Sequence, residues 1–282
     1  MKLFRDFEGK FIVSSSLIMG IFITFTTILH HIFPQILQVP NVRGPYTIKP
    51  LWLDLSFFDS ITIMLSISII YHGIKTRGKF KTICFFYGSI VFAGLEECLW
   101  ILSGRFNLIS FKTYFFTRGG LWFLEIPLSV CLMWFIIVWC CLYVAEIIFP
   151  NKKFLFHAFI AGIFAVSLDL FIDPMMVNYG AVSMFSDSEG MWVWLSDPTK
   201  IFRIFSIPFF NFLGWFFVIF GFSWLYGYIL DDEKIEERGK KKSLLFFIVG
   251  IPLIIISIFF IILIINFIIQ PFLGGFNLIP IG

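Results

Sequence analysis

The stretch "SLLFFIVGIPLIIISIFFIILIINFII" (Ser243–Ile269) contains no charged side chain and only a few polar ones. A helix needs about 20 predominantly apolar residues to cross a hydrocarbon core roughly 30 Å thick. This stretch exceeds that length. Lipid offers a backbone no hydrogen-bond partners, so a segment of this kind satisfies its N–H and C=O groups internally, as a helix. The same signal recurs upstream and predicts spans at Phe11–Phe33, Phe57–Ile74, Phe80–Leu102, Leu121–Phe149, Phe154–Met176 and Ile204–Leu230. Composition agrees: of 282 residues, 59% are hydrophobic and 14% charged, whereas soluble domains carry about 25% charged residues. The expected fold is an all-α, polytopic transmembrane bundle of about seven spans. One integral membrane domain is expected to cover residues 1–282, with no soluble domain and no strong internal repeat.

Charge sets the expected orientation. The N-terminus and the loops after the second, fourth and sixth spans, with Lys81 at the entry of the third span, hold 14 Lys/Arg, and the other loops hold 7. The positive-inside rule then predicts a cytoplasmic N-terminus in a multi-pass protein of the cell membrane. Lys2, Arg5 and Lys10 precede the first span as in a signal peptide, but its apolar stretch is too long and lacks a small-residue cleavage site. It reads as a retained helix. The block "DDEKIEERGKKK" (Asp231–Lys242) reads as a solvated cytoplasmic loop, and no basic block suits a nucleic-acid partner. Cys84, Cys98, Cys131, Cys140 and Cys141 lie within apolar spans and read as small hydrophobes. His30, His31, His72 and His157 are too scattered to suggest a metal site. No phosphate loop, nucleophile elbow or dinucleotide fingerprint is present.

The acids therefore stand out. Ionisable side chains inside a span are costly and usually functional. In "LDLFIDPMMV" (Leu168–Val177), Asp169 and Asp173 are four apart and so share a helix face. Two carboxyls brought together in low dielectric cannot both ionise easily, and one that keeps its proton can act as a general acid. The other reading is a helix end capped by two acids, with Pro174 opening the exit. "LEECLW" (Leu95–Trp100) holds Glu96 and Glu97, about 100° apart on a helix. The orientation places these four acids, with Asp54, Asp59, Glu125 and Asn211, toward the outer surface, as one polar pocket open to the outer leaflet would require. "GMWVWL" (Gly190–Leu195) suits an extended segment with Trp192 and Trp194 on one side. They could line the pocket or belong to an interfacial aromatic belt. In "IPFFNFLGW" (Ile207–Trp215), Asn211 and Trp215 share a face, and Gly214 would allow close helix approach.

These runs resemble a known family. "LDLFIDPMM", "GMWVWL" and "IPFFNFLGW" are similar to the D-x-x-x-D-P, G-x-W-x-W and P-x-x-N-F-x-G-W elements of the membrane carotenoid 1,2-hydratases, the family of bisanhydrobacterioruberin hydratase. Upstream, "EECLWILSG", "YFFT" and "IPLSVCLMW" resemble its E-x-x-G-x-x-x-G, Y-x-Y-T and V-P-L…W elements, in order. The likeness runs from about Gly94 to Trp215. It selects Glu97 over Glu96, since Glu97 stands seven residues before Gly104. Trp100 and Asn107 stand where the pattern has glycine, and Asn178–Glu189 looks like an insertion.

The resemblance implies cofactor-independent addition of water to the terminal C1=C2 double bond of a linear carotenoid. Asp169, Asp173 and Glu97 would be catalytic, and Trp192, Trp194, Asn211, Trp215 and Tyr114 would bind substrate. No metal or organic cofactor is required. The partners implied are a lipid-soluble polyene, the bilayer and other membrane enzymes of carotenoid biosynthesis. A proton-coupled transporter using the same acids is the alternative, which discontinuous helices in repeated halves would favour. An intramembrane prenyltransferase is a further one, since Asp169–Asp173 also spells D-x-x-x-D. It would need a second such motif, which the sequence lacks, and a cytoplasmic placement.

Overall fold

The computed structural model describes residues 6–33, 52–116, 119–177 and 191–278; side chains at 52–56 are not described. Seven of its helices are long and apolar enough to cross a membrane. They are α1 (Phe7–Ile32), α2 (Trp52–Arg77), α3 (Lys79–Arg105), α4 (Leu128–Ile148), α5 (Phe154–Val177), α6 (Phe209–Ile229) and α8 (Lys240–Leu273). The short α7 (Asp232–Arg238) lies in the charged block, so that loop is partly helical. Asp231 caps it by accepting from the Glu233 N–H at 3.1 Å. Helices α3, α4 and α6 form the centre, and α1 and α2 present most of their surface outward. That exposure suits a lipid-facing rim, where apolar side chains need no cover.

Two predicted spans begin later than hydropathy suggests. The fourth starts at Leu128, not Leu121, and the sixth at Phe209, not Ile204. In each case a hairpin precedes the helix: β2 (Trp122–Phe123) with β3 (Ile126–Pro127), and β5 (Arg203–Ile204) with β6 (Ile207–Pro208). The turns place Leu124, Phe205 and Ser206 at φ of 53°, 51° and 63°, a left-handed region that ends a helix before it starts. Pro127 and Pro208, both at φ −56°, then open α4 and α6. Proline has no N–H to leave unpaired there.

The sequence of elements repeats. Helix, strand, hairpin and helix occur as α3, β1 (Tyr114–Phe116), β2–β3, α4, and again as α5, β4 (Trp192–Trp194), β5–β6, α6. "WFLEIPLSVCLMW" (Trp122–Trp134) and "RIFSIPFFNFLGW" (Arg203–Trp215) align without a gap, sharing Ile-Pro and a tryptophan seven residues beyond. Equivalent parts also meet. Strands β1 and β4 pair antiparallel, Phe115 opposite Val193, and the Trp134 and Trp215 rings lie 4.5 Å apart. Two halves related by an approximate two-fold axis make such contacts. The expectation of no strong repeat is therefore corrected.

Each hairpin is held from outside its own half. Trp122 is gripped by α1: its N–H donates to Thr27 Oγ1 at 2.9 Å, its carbonyl accepts from Thr26 Oγ1, and its ring stacks on His30 at 3.8 Å. Arg203 is tied to the chain following α8, donating its N–H to the Phe276 carbonyl at 2.9 Å and accepting from the Leu278 N–H at 3.0 Å. The connection before β5 is fixed by Asp197, which accepts from the Thr199 N–H and hydroxyl at 2.9 and 2.7 Å. Those bonds hold its exposed carboxyl below the usual carboxylate range.

Candidate active site

The ends of the two repeats enclose a cleft of about 750 Å³, counted to its open mouth. Its floor is aromatic and polar: Glu97, Asp173, Asn211, Tyr114, Trp134 and Trp215. Trp192 and Trp194 form one wall, both on the same side of β4 because alternate residues of a strand face alike. Across the pairing, Trp194 packs on Tyr114 at 4.7 Å and Trp192 on Phe116 at 5.8 Å. The remaining wall is apolar: Val130, Met133, Ile172 and Met176 are half-buried, and Ile137 is buried.

Helix α5 delivers the aspartates one turn apart. Asp169 is fully buried and Asp173 nearly so, and only Asp173 lines the cleft. Asn211 Nδ2 donates to Oδ2 of both at 2.8 Å. Accepting from one amide nitrogen brings the two Oδ2 atoms close together. The helix runs past Pro174 to Val177, so the acids lie within the helix and not at its end. Glu97, from α3, is held separately. Trp134 Nε1 donates to its Oε1 at 3.0 Å, and the Tyr114 hydroxyl donates to its Oε2. Glu97 and Asp173 are near enough to feel each other's charge. Two carboxyl centres thus meet in one cleft, one paired through an amide and one oriented by an indole and a phenol.

Other acids do not join them. Glu125 lies in the turn before β3, where Arg105 binds it through two bonds of 2.7 Å, both side chains buried. Its charge is spent in that pair. Asp59 of α2 sits against Gly120 and Ser129 and does not line the cleft. The Asp54 side chain, Thr117, Gly190 and the insertion 178–189 lie outside the described residues. Among the described residues, the expected pocket of acids from four helices thus becomes one whose acids come from α3 and α5. Gly214 also departs from expectation: a Cβ built there meets nothing within 4 Å, so it mediates no close helix contact. Trp134 was not singled out from sequence. Its signal was its place in "IPLSVCLMW", matching Trp215 in "IPFFNFLGW". Among the described residues, no group of three or more His, Cys, Asp or Glu is placed to hold a metal ion.

A sequence model described as "carotenoid biosynthesis protein" matches residues 57–280. The chain belongs to the carotenoid biosynthesis protein family. The match extends beyond the motif-bearing region, taking in α2 and α8. No match was found among curated proteins or among solved structures. Within this family member, the two departures from the hydratase pattern have local explanations. Asn107 sits at φ 55°, a left-handed position that glycine adopts freely and asparagine tolerates best among other residues. Its Oδ1 also accepts from Lys112 Nζ at 2.6 Å. Trp100 is buried, stacks near Phe210 and Phe259, and donates its indole N–H to Glu96 Oε1 at 2.7 Å. It therefore occupies one oxygen of Glu96, and Glu97 remains the glutamate of the main cleft.

Proposed function

We propose that the protein hydrates the terminal C1=C2 double bond of a linear carotenoid, without a metal or organic cofactor. The observation that carries this reading is the pairing of two separately held carboxyl centres with an aromatic cleft whose other wall is apolar and mostly half-exposed. A polyene end would enter from the bilayer past Met133, Ile172 and Met176. An isolated alkene has no basic atom, so protonation needs a desolvated acid. Asp173 supplies it, with the Asn211 amide donating to its Oδ2 and to that of Asp169 and fixing the pair in place. Protonation at C2 leaves a tertiary cation at C1, which the faces of Trp134, Trp192, Trp194 and Trp215 stabilise. Glu97 takes the proton of the attacking water. The membrane in question is the cell membrane, with the N-terminus cytoplasmic and residues 1–282 acting as one integral unit.

The test is expression in a host that makes lycopene-like polyenes, followed by mass analysis of the pigments. Pigment should gain one or two waters per molecule, in anaerobic cells as in aerated ones. Unchanged pigment beside verified membrane protein would count against hydration of that polyene. Dependence on a diphosphate substrate and magnesium would point to prenyl transfer.

A further inference from the structure

Hydration needs a water molecule beside the reacting carbon, and the main cleft is poorly suited to hold one. Its floor carries Glu97, Asp173, Asn211 and Tyr114, but most of its lining is apolar, whereas a buried water needs two to four polar partners. Polar groups are denser around a smaller chamber with about 20 Å³ for water, enough for a single molecule, which shares Glu97, Tyr114 and Trp134 with the cleft. Glu96, Asn211 and Trp194 line it as well. Glu96 is 3% exposed, and Trp100 occupies only its Oε1. The buried Trp194 Nε1 has no hydrogen-bond partner among the described residues, a state that buried donors seldom keep without water.

Gly214 supplies an independent observation. It lines this chamber, yet nothing lies within 4 Å of a Cβ placed on it. Gly88, by contrast, is pressed by the Phe247 ring at 2.5 Å. Glycine weakens a helix interior, and at position 214 no neighbour uses the space it leaves. What the missing side chain preserves is the void.

We propose that this chamber is the water compartment of the site, with Glu96 and the Trp194 indole N–H holding the water that attacks. The proposal rests on the hydratase reading. Asp173 transfers its proton to C2, and the π electrons of C1=C2 form the new C–H bond. The chamber water adds its lone pair to C1, forming the C–O bond. One O–H bond of that water then breaks, its proton passes to Glu97, and return of that proton to the aspartate pair restores the site. Only alkene and water are consumed.

Two measurements test this. In purified protein labelled with ¹⁵N-indole tryptophan, the Trp194 Nε1–H signal, assigned by its loss in Trp194→Phe, should show a magnetisation-transfer peak to water. Gly214→Leu, which fills the void with a good helix former, should abolish that peak. In the polyene-making host, Gly214→Leu should cut hydrated pigment about 10²-fold at equal membrane protein, as misplacing a reactant does. Trp194→Phe, which keeps an aromatic face and loses the indole N–H, should cut it about tenfold. It remains informative should Gly214→Leu not accumulate. A wild-type protein without the water peak, or Gly214→Leu hydrating at the wild-type rate, overturns the compartment. If the wild type hydrates no polyene, the hydratase reading fails, and the water peak alone decides whether the chamber is wet.

Discussion

Asp173 reaches the cleft while Asp169 is shut behind it, and one amide group of Asn211 serves both. On the proposed hydratase reading, that asymmetry divides the roles: Asp173 meets substrate, and Asp169 governs whether its neighbour keeps a proton. Asp173→Asn preserves shape and hydrogen bonding but removes the transferable proton. Hydration should fall about 10²–10⁴-fold, the usual worth of a positioned general acid, with folded protein unchanged in the membrane. Asp169→Asn should impair turnover less. Full pigment hydration by the double Asn variant, at normal expression, would remove both from the mechanism. The aspartates, Glu97, Asn211 and the two tryptophans of β4 were legible in the sequence because each has a motif or a rare charge to mark it. Trp134 was not, since one more tryptophan in an apolar span carries no mark of its own. Glu125 was misplaced for the opposite reason. Its charge is conspicuous, but the partner that neutralises it, Arg105, lies on another element.

At the scale of elements, the helices were readable from the length of their apolar runs, and the hairpins were not. "WFLEIP" and "RIFSIP" are apolar enough to pass for the start of a span, and their left-handed positions carry Leu124, Phe205 and Ser206, not the glycine or asparagine that usually signals such a turn. What holds the first hairpin to α3 is the Arg105–Glu125 pair. Removing one partner of a buried pair leaves an uncompensated charge and costs about 3–5 kcal/mol. Arg105→Leu should therefore lower the unfolding temperature in detergent sharply, and Arg105→Leu/Glu125→Leu should recover much of the loss. Equal damage from single and double variants would mean that packing, not charge, secures the hairpin. The turn after α3 gives a finer test. Asn107→Gly should leave stability nearly unchanged, and Asn107→Val should lower it, because a β-branched residue is strained at φ 55°.

At the scale of the molecule, the repeat explains why acids from α3 and α5 come to one depth. Both helices lead into the paired strands β1 and β4, so both approach the cleft from the same side of the bundle. The halves are thus parallel in sense, and α4 and α6 both return the chain to the opposite side. Seven crossings then put the two ends of the chain on opposite faces. If, as we propose, the 14 to 7 division of Lys/Arg sets the N-terminus on the inner face, the cleft faces the outer leaflet. A reporter fused after Lys242 should therefore read cytoplasmic, and one fused after Gly282 should read external. The site does not depend on both: its helices precede α8. If both reporters read cytoplasmic, α8 fails to cross and the cleft keeps its outward placement. If the Lys242 reporter reads external, the whole bundle is inverted, the polyene would have to enter from the inner leaflet, and the charge rule would have failed for this chain.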